Sequence, residues 1–154
     1  MNMELPDIFT QEVANGVIDR IEKINENTVP GWGKMNAGQV MAHLNVPYEM
    51  VFENKHPKTG AFMRFLLKLI AKDAVVSARP YKKNTRTAPA FIIKGNRNFE
   101  LEKSRLIEYI DRVQKLGAKN FDQKESNSFG KLSMNQWNNM FYKHLDHHLT
   151  QFGV

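Results

Sequence analysis

The chain of 154 residues contains no cysteine and only five histidines. The absence of cysteine excludes disulfide bonds, thiolate metal ligands and a cysteine nucleophile, and it is consistent with a reducing cytoplasm. Any chemistry that the protein performs must therefore use histidine, carboxylate or hydroxyl side chains, or a bound metal ion.

The chain also lacks a hydrophobic run of membrane-spanning length. Its most apolar stretch, residues 61–71, is too short to cross a bilayer and carries Arg64 and Lys68. Residues 1–10 include Pro6 and acidic side chains but no apolar core of a secretory signal. We therefore expect a cytoplasmic protein without a membrane partner, folded as one domain over residues 1–154 because this length suffices for a hydrophobic core.

Several functional motifs are missing. The chain has no glycine-rich phosphate loop, nucleophile elbow or paired-carboxylate signature. It also has no helix-turn-helix, zinc-finger or RNA-binding aromatic pattern, so we expect no specific nucleic-acid recognition despite the net charge of +6. Basic residues are concentrated between Arg79 and Arg105. This stretch is either a solvated basic loop or a region that attracts an anionic substrate.

The histidines that are present concentrate at the end of the chain. His144 and His148 stand four residues apart and share one face of a predicted helix with Trp137, Phe141 and Phe152. Such a face normally packs into the core, where an unpaired polar ring is costly. A metal ion would stabilise both imidazoles there, although partly buried histidines without a ligand remain the alternative.

A third histidine strengthens the metal hypothesis. His43 lies on the apolar side of a second predicted helix, with Asn36 as N-cap and Gln39 completing a capping box. Ser133 and Gln136 form the same pattern before the last helix. Three neutral imidazoles with an open fourth position are typical of a catalytic rather than a structural metal site.

The remaining titratable candidates are expected at the surface. His147 projects to the flank of the histidine face, Asp146 projects to the opposite, solvent side, and His56 lies in a polar loop beside Pro57. Tyr48 and Tyr142 are candidate proton donors, but both lie off the histidine face, where packing is the expected role.

Hydrophobic periodicity predicts an all-α fold, a four-helix bundle with crossover connections. The long helices are expected from residue 10 or 11 to about 24, and over 37–52, 98–116 and 134–152. A short basic amphipathic helix over 60–72 is expected to pack across the bundle, with a membrane-surface role as the alternative. A long irregular loop over 73–95 should include an extended segment at 90–93.

The residues resemble those of the DinB/YfiT-like superfamily, nearest to a small subgroup described only as a domain of unknown function. The similar segments are Trp32-Gly33-Lys34-Met35, Thr87-Ala88-Pro89, Phe129-Gly130-Lys131-Leu132 and the run from Lys143 to His148. The resemblance implies a four-helix bundle that holds a divalent metal ion (Zn, Ni or Fe) on His43, His144 and His148. Many members continue with Arg-Gly-Gln after the last histidine, whereas this chain has Leu149-Thr150-Gln151.

The resemblance also implies a function. Characterised relatives include thiol-dependent transferases and isomerases, so the expected partner is a small-molecule substrate of the type of an anionic low-molecular-weight thiol. A metal-dependent hydrolase and a non-catalytic metal or small-molecule binding bundle are the alternatives. Both a monomer and a homodimer are compatible with these features.

Overall fold

The computed structural model describes residues 4–154 and is mainly helical. Within that range it contains six α-helices and one antiparallel pair of short strands. The elements are α1 (Gln11–Glu22), α2 (Ala37–Phe52), α3 (Ala61–Ile70), α4 (Lys72–Val76), α5 (Phe99–Leu116), β1 (Lys124–Ser126), β2 (Gly130–Leu132) and α6 (Met134–Gln151). Two short 3-10 turns cover Pro89–Phe91 and Ala118–Phe121.

Side-chain caps fix where the two histidine-bearing helices begin. Asn36 and Gln39 form a complete capping box on α2, and Ser133 and Gln136 form another on α6. Each box satisfies backbone N–H groups that a helix start leaves unpaired. Both predicted caps are therefore confirmed.

The core forms where α2 packs against α5 and α6, and where α1 packs against α5 and α6. The predicted inward faces of the long helices are buried, including Val17, Ile21, Leu106, Ile110, Val113, Trp137 and Phe141. Tyr48 stacks on Phe141 with ring centroids 4.9 Å apart. The mainly helical fold is thus confirmed, and α2 and α6 lie side by side.

Two local predictions are only partly correct. The segment expected to be extended at 90–93 begins with a 3-10 turn, Pro89–Phe91, in which proline occupies the first position. Proline favours such a position because its fixed φ suits a helical turn and its missing N–H is not needed there. The helix predicted over 60–72 is present as α3, but it ends at Ile70, and Ala71 separates it from the short helix α4.

The packing predicted for the short basic helix is wrong. Most of the large apolar side chains of α3 are exposed to solvent, and Phe62, Phe65 and Leu69 are each at least 60% exposed, whereas Leu66 and Leu67 are half-buried. The basic side of α3 faces the β1–β2 hairpin instead, where Arg64 lies 3.6 Å from Glu125. None of the helices in residues 4–154 is both long enough and apolar enough to cross a membrane.

Candidate metal centre

The structure brings three histidines from two helices together. His43 extends from α2, and His144 and His148 extend from consecutive turns of α6. One ring nitrogen from each lies within 4.8 Å of those of the other two, and the Nε2 atoms of His43 and His144 are 2.9 Å apart. Nitrogens bound at about 2.0–2.1 Å to one tetrahedral zinc ion would be separated by roughly 3.4 Å. Small adjustments of the rings would therefore allow one ion to contact all three.

The orientation of His43 is fixed by a backbone carbonyl. Its Nδ1 donates to the carbonyl oxygen of Phe91 over 2.8 Å. Because Nδ1 carries the proton, the Nε2 lone pair of the neutral ring is directed toward His144 and His148. The Phe91 ring also contacts His43 and His144 edge-on, so the 3-10 turn covers the site from the loop side.

His148 is held in the same way by an amide. Its Nδ1 donates to Oε1 of Gln151 over 2.7 Å, while Nε2 of Gln151 donates to the carbonyl oxygen of Trp32 over 2.7 Å. The carbonyl can only accept a hydrogen bond, so it determines which end of the amide faces His148. Two of the three imidazoles thus have outer-shell partners that leave Nε2 free for a ligand, as in protein metal sites.

The glycines beside Trp32 allow Gln151 to approach the loop. Gly33 has a φ of +81°, and a β-carbon at this position would lie 2.6 Å from Nε2 of Gln151. The N–H of Gly31 donates to the backbone oxygen of Gln151 over 2.7 Å. Glycine at position 33 is therefore explained by the structure, since the Trp32-Gly33 segment supports the amide that orients His148.

The electrostatic environment keeps the three rings neutral. Burial lowers the pKa of His43, with partial compensation by its bond to Phe91, and lowers the pKa of His148 to about 3. Burial and the neighbouring histidines hold the pKa of His144 well below its ordinary value. Neutral imidazole is the form that binds metal, so little proton release is needed for binding near pH 7.

His147 lies beside the three converging histidines. His43 and His148 are 5% and 9% exposed, whereas His144 is only partly buried. His147 stacks edge-on against Trp32 and Tyr81 beside this region, and it is outside the group of converging nitrogens. This position agrees with the prediction that His147 flanks the histidine face.

Two other residues were predicted to lie at the surface, and the exposure of Asp146 agrees with that prediction whereas the exposure of His56 does not. Asp146 keeps 45% of its side chain exposed and accepts from Arg20 over 2.7 Å. His56 was expected to be solvated, yet its side chain is only 20% exposed and its Nε2 bonds to Glu49 over 2.7 Å. The carboxylate of Glu49 also accepts from Arg105 over 2.6 Å, so His56 belongs to a structural charge network.

Comparison with protein families agrees with part of the sequence resemblance. A family model described as a protein of unknown function (DUF1569) matches residues 8–153. The chain belongs to this family. The residues of this chain that the DUF1569 model matches include the three histidines, the Trp32-Gly33 segment and Gln151. No curated protein and no solved structure matches the chain.

Proposed function

We propose that this protein is a metal-dependent enzyme of the DinB/YfiT-like type in which His43, His144 and His148 bind one divalent metal ion. The observation that carries the proposal is the convergence of the three ring nitrogens within 4.8 Å. Hydrogen bonds from Nδ1 of His43 and His148 to Phe91 and Gln151 support it, because they direct Nε2 of both rings inward.

The donor set restricts the metal. Three imidazoles without thiolate suit zinc, nickel or iron(II), and they disfavour magnesium and calcium, which prefer oxygen ligands. Three protein ligands leave at least one coordination position for substrate or water, as catalytic zinc sites do and structural zinc sites do not.

We further propose an anionic low-molecular-weight thiol as substrate. Lys83 lies over the Trp32 ring, with its Nζ 4.2 Å from the centroid, and Trp32 contacts His147 beside the histidine site. Lys82 and Arg86 are exposed on the same loop. These cations would attract the carboxylates of such a thiol, while Gln151 and the Phe91 carbonyl keep the imidazoles oriented. A divalent metal held here would supply deprotonation of the thiol.

The alternative of a non-catalytic binding bundle also has an observation in its favour. The Nε2 atoms of His43 and His144 are close enough to share a proton in a direct hydrogen bond. That bond could satisfy two buried rings without any metal. In this case the bundle would use the histidines to stabilise its core or to bind a small molecule.

Cobalt substitution distinguishes these functions. Cobalt-loaded protein should develop a sulfur-to-metal charge-transfer band when glutathione is added, and salt should weaken the response because the cationic loop attracts the thiol. The His43→Ala variant should show no band. Hydrolysis of test esters without any thiol response would favour a metal-dependent hydrolase, and the absence of both would favour the binding bundle.

A further inference from the structure

Helix α3 presents a continuous apolar surface to solvent. Five of its large side chains are between 51% and 78% exposed: Phe62, Met63, Phe65, Leu69 and Ile70. At 100° per residue these five side chains occupy one arc of less than half the helix circumference, in which Leu66 is half-buried. Contiguous exposed apolar surface of this kind is typical of an interaction site rather than of scattered surface residues.

The other side of α3 is fixed to the protein through its basic residues. Arg64 pairs with Glu125 of β1, and the end of the Lys68 side chain lies against Gly130 of β2. Thr59, just before the helix, bonds to Ser128 between the two strands over 3.2 Å. A helix of a globular domain normally turns its apolar side inward and its charged side outward, and α3 does the reverse.

The charge around α3 indicates what its apolar surface contacts. Residues 54–72 contain no aspartate or glutamate. Lys55 is paired with Glu53 and Arg64 with Glu125, so the basic residues of this segment without a carboxylate partner within residues 4–154 are Lys58, Lys68 and Lys72. A second copy docked on the same surface would bring two such basic segments together, and their charges would repel. An anionic lipid surface would instead complement the lysines and receive the apolar side chains.

We propose that α3 binds the protein to anionic membrane surfaces, lying flat at the boundary between headgroups and acyl chains. The exposed side chains Phe62, Phe65, Leu69 and Ile70 enter this boundary. Lys58 before the helix and Lys72 after it contact lipid phosphates. Ten residues rise only about 15 Å as an α-helix, which suits a helix in the membrane plane and not one across it. This proposal departs from the expectation, drawn from the sequence, that the protein has no membrane partner.

The attachment of α3 extends to the helix that carries two of the histidines. The chain after α3 continues into α4, whose last turn is bound by α6. Lys143 donates through Nζ to the carbonyl oxygens of Ala74 and Ser77 over 2.8 and 2.6 Å, and Asn139 donates to Val76. Membrane binding would therefore hold the histidine site at a defined height above the lipid surface.

Vesicle sedimentation tests the proposal. The full chain should bind vesicles of phosphatidylcholine with about 30% phosphatidylserine and bind pure phosphatidylcholine much more weakly. The double variant Phe62→Ser/Phe65→Ser should lose tenfold or more in affinity, on the order expected for removing two inserted side chains. The matched control Leu101→Ser changes a side chain on α5 that is 57% exposed and should bind like wild type. Lys58→Ala should weaken binding about fivefold.

A tryptophan reporter and a mass measurement complete the test. The Phe65→Trp variant should shift its emission to shorter wavelength with anionic vesicles, whereas Leu101→Trp should not. Absence of vesicle binding, or binding that the double serine variant retains, would overturn the proposal. So would a wild-type dimer in light scattering that the double serine variant converts to a monomer, because a second copy would then cover α3.

Discussion

The hydrogen bond between His148 and Gln151 provides a sharp test of how the site is organised. Replacing Gln151 with Leu removes the acceptor of the His148 Nδ1 proton and the donor to the Trp32 carbonyl, in a side chain that is 3% exposed. Loss of an outer-shell partner typically weakens metal binding 10- to 100-fold, or by about 1.4–2.8 kcal/mol. Leaving buried polar groups without partners should also lower the free energy of unfolding by about 1–3 kcal/mol.

Two assays separate these effects. Zinc affinity is measured by competition with a chromophoric chelator, and stability of the metal-free protein is measured by urea unfolding. The control is Gln114→Leu, a change of the same chemistry at a half-buried position of α5. If Gln151→Leu lowers stability but binds zinc as tightly as wild type, Gln151 supports the fold alone and the proposed orientation of His148 is refuted.

Two further predictions concern the supporting structure. Gly33→Ala should weaken zinc binding and lower the free energy of unfolding by about 1–3 kcal/mol, because the added β-carbon would displace Gln151 and φ at this position is positive. The control is Gly16→Ala, which has open space around it and should not lower the free energy of unfolding in urea. Burial alone would raise the pKa of Glu49, but hydrogen bonds from His56 and Arg105 lower it overall. The stability from Glu49 is therefore present above the unfolded-state pKa of about 4.5 and is lost as pH falls below it, so thermal melts of Glu49→Gln should show a shallower acid decline than wild type.

The sequence predicted the parts of the site that follow from local periodicity. Spacing of four residues places His144 and His148 on one helix face, and the capping boxes at Asn36 and Ser133 set where both helices begin. These signals depend on neighbours within one or two helical turns. The histidines, the helix bounds near them and the inward faces of the long helices could therefore be predicted without tertiary information.

The supporting shell could not be predicted in the same way. The acceptors for His43 and Gln151 are backbone carbonyls of Phe91 and Trp32, and a backbone carbonyl has no residue-type signal. Gln151 left a weak signal, since it lies three residues after His148, where the Arg-Gly-Gln run of the superfamily that the sequence resembles also has glutamine. The outward apolar face of α3 was missed because amphipathic periodicity does not determine which side of a helix meets the protein.

Metal content after purification without a nickel column or affinity tag tests the central claim most directly. Elemental analysis of wild type should give close to one divalent transition metal ion per chain, or one equivalent after incubation with zinc and gel filtration. His43→Ala, His144→Ala and His148→Ala should each lose the ion, whereas His147→Ala and His56→Ala should retain it. Wild type that neither carries nor takes up a metal ion, or equal loss in the His147→Ala variant, would contradict the three-histidine centre proposed here.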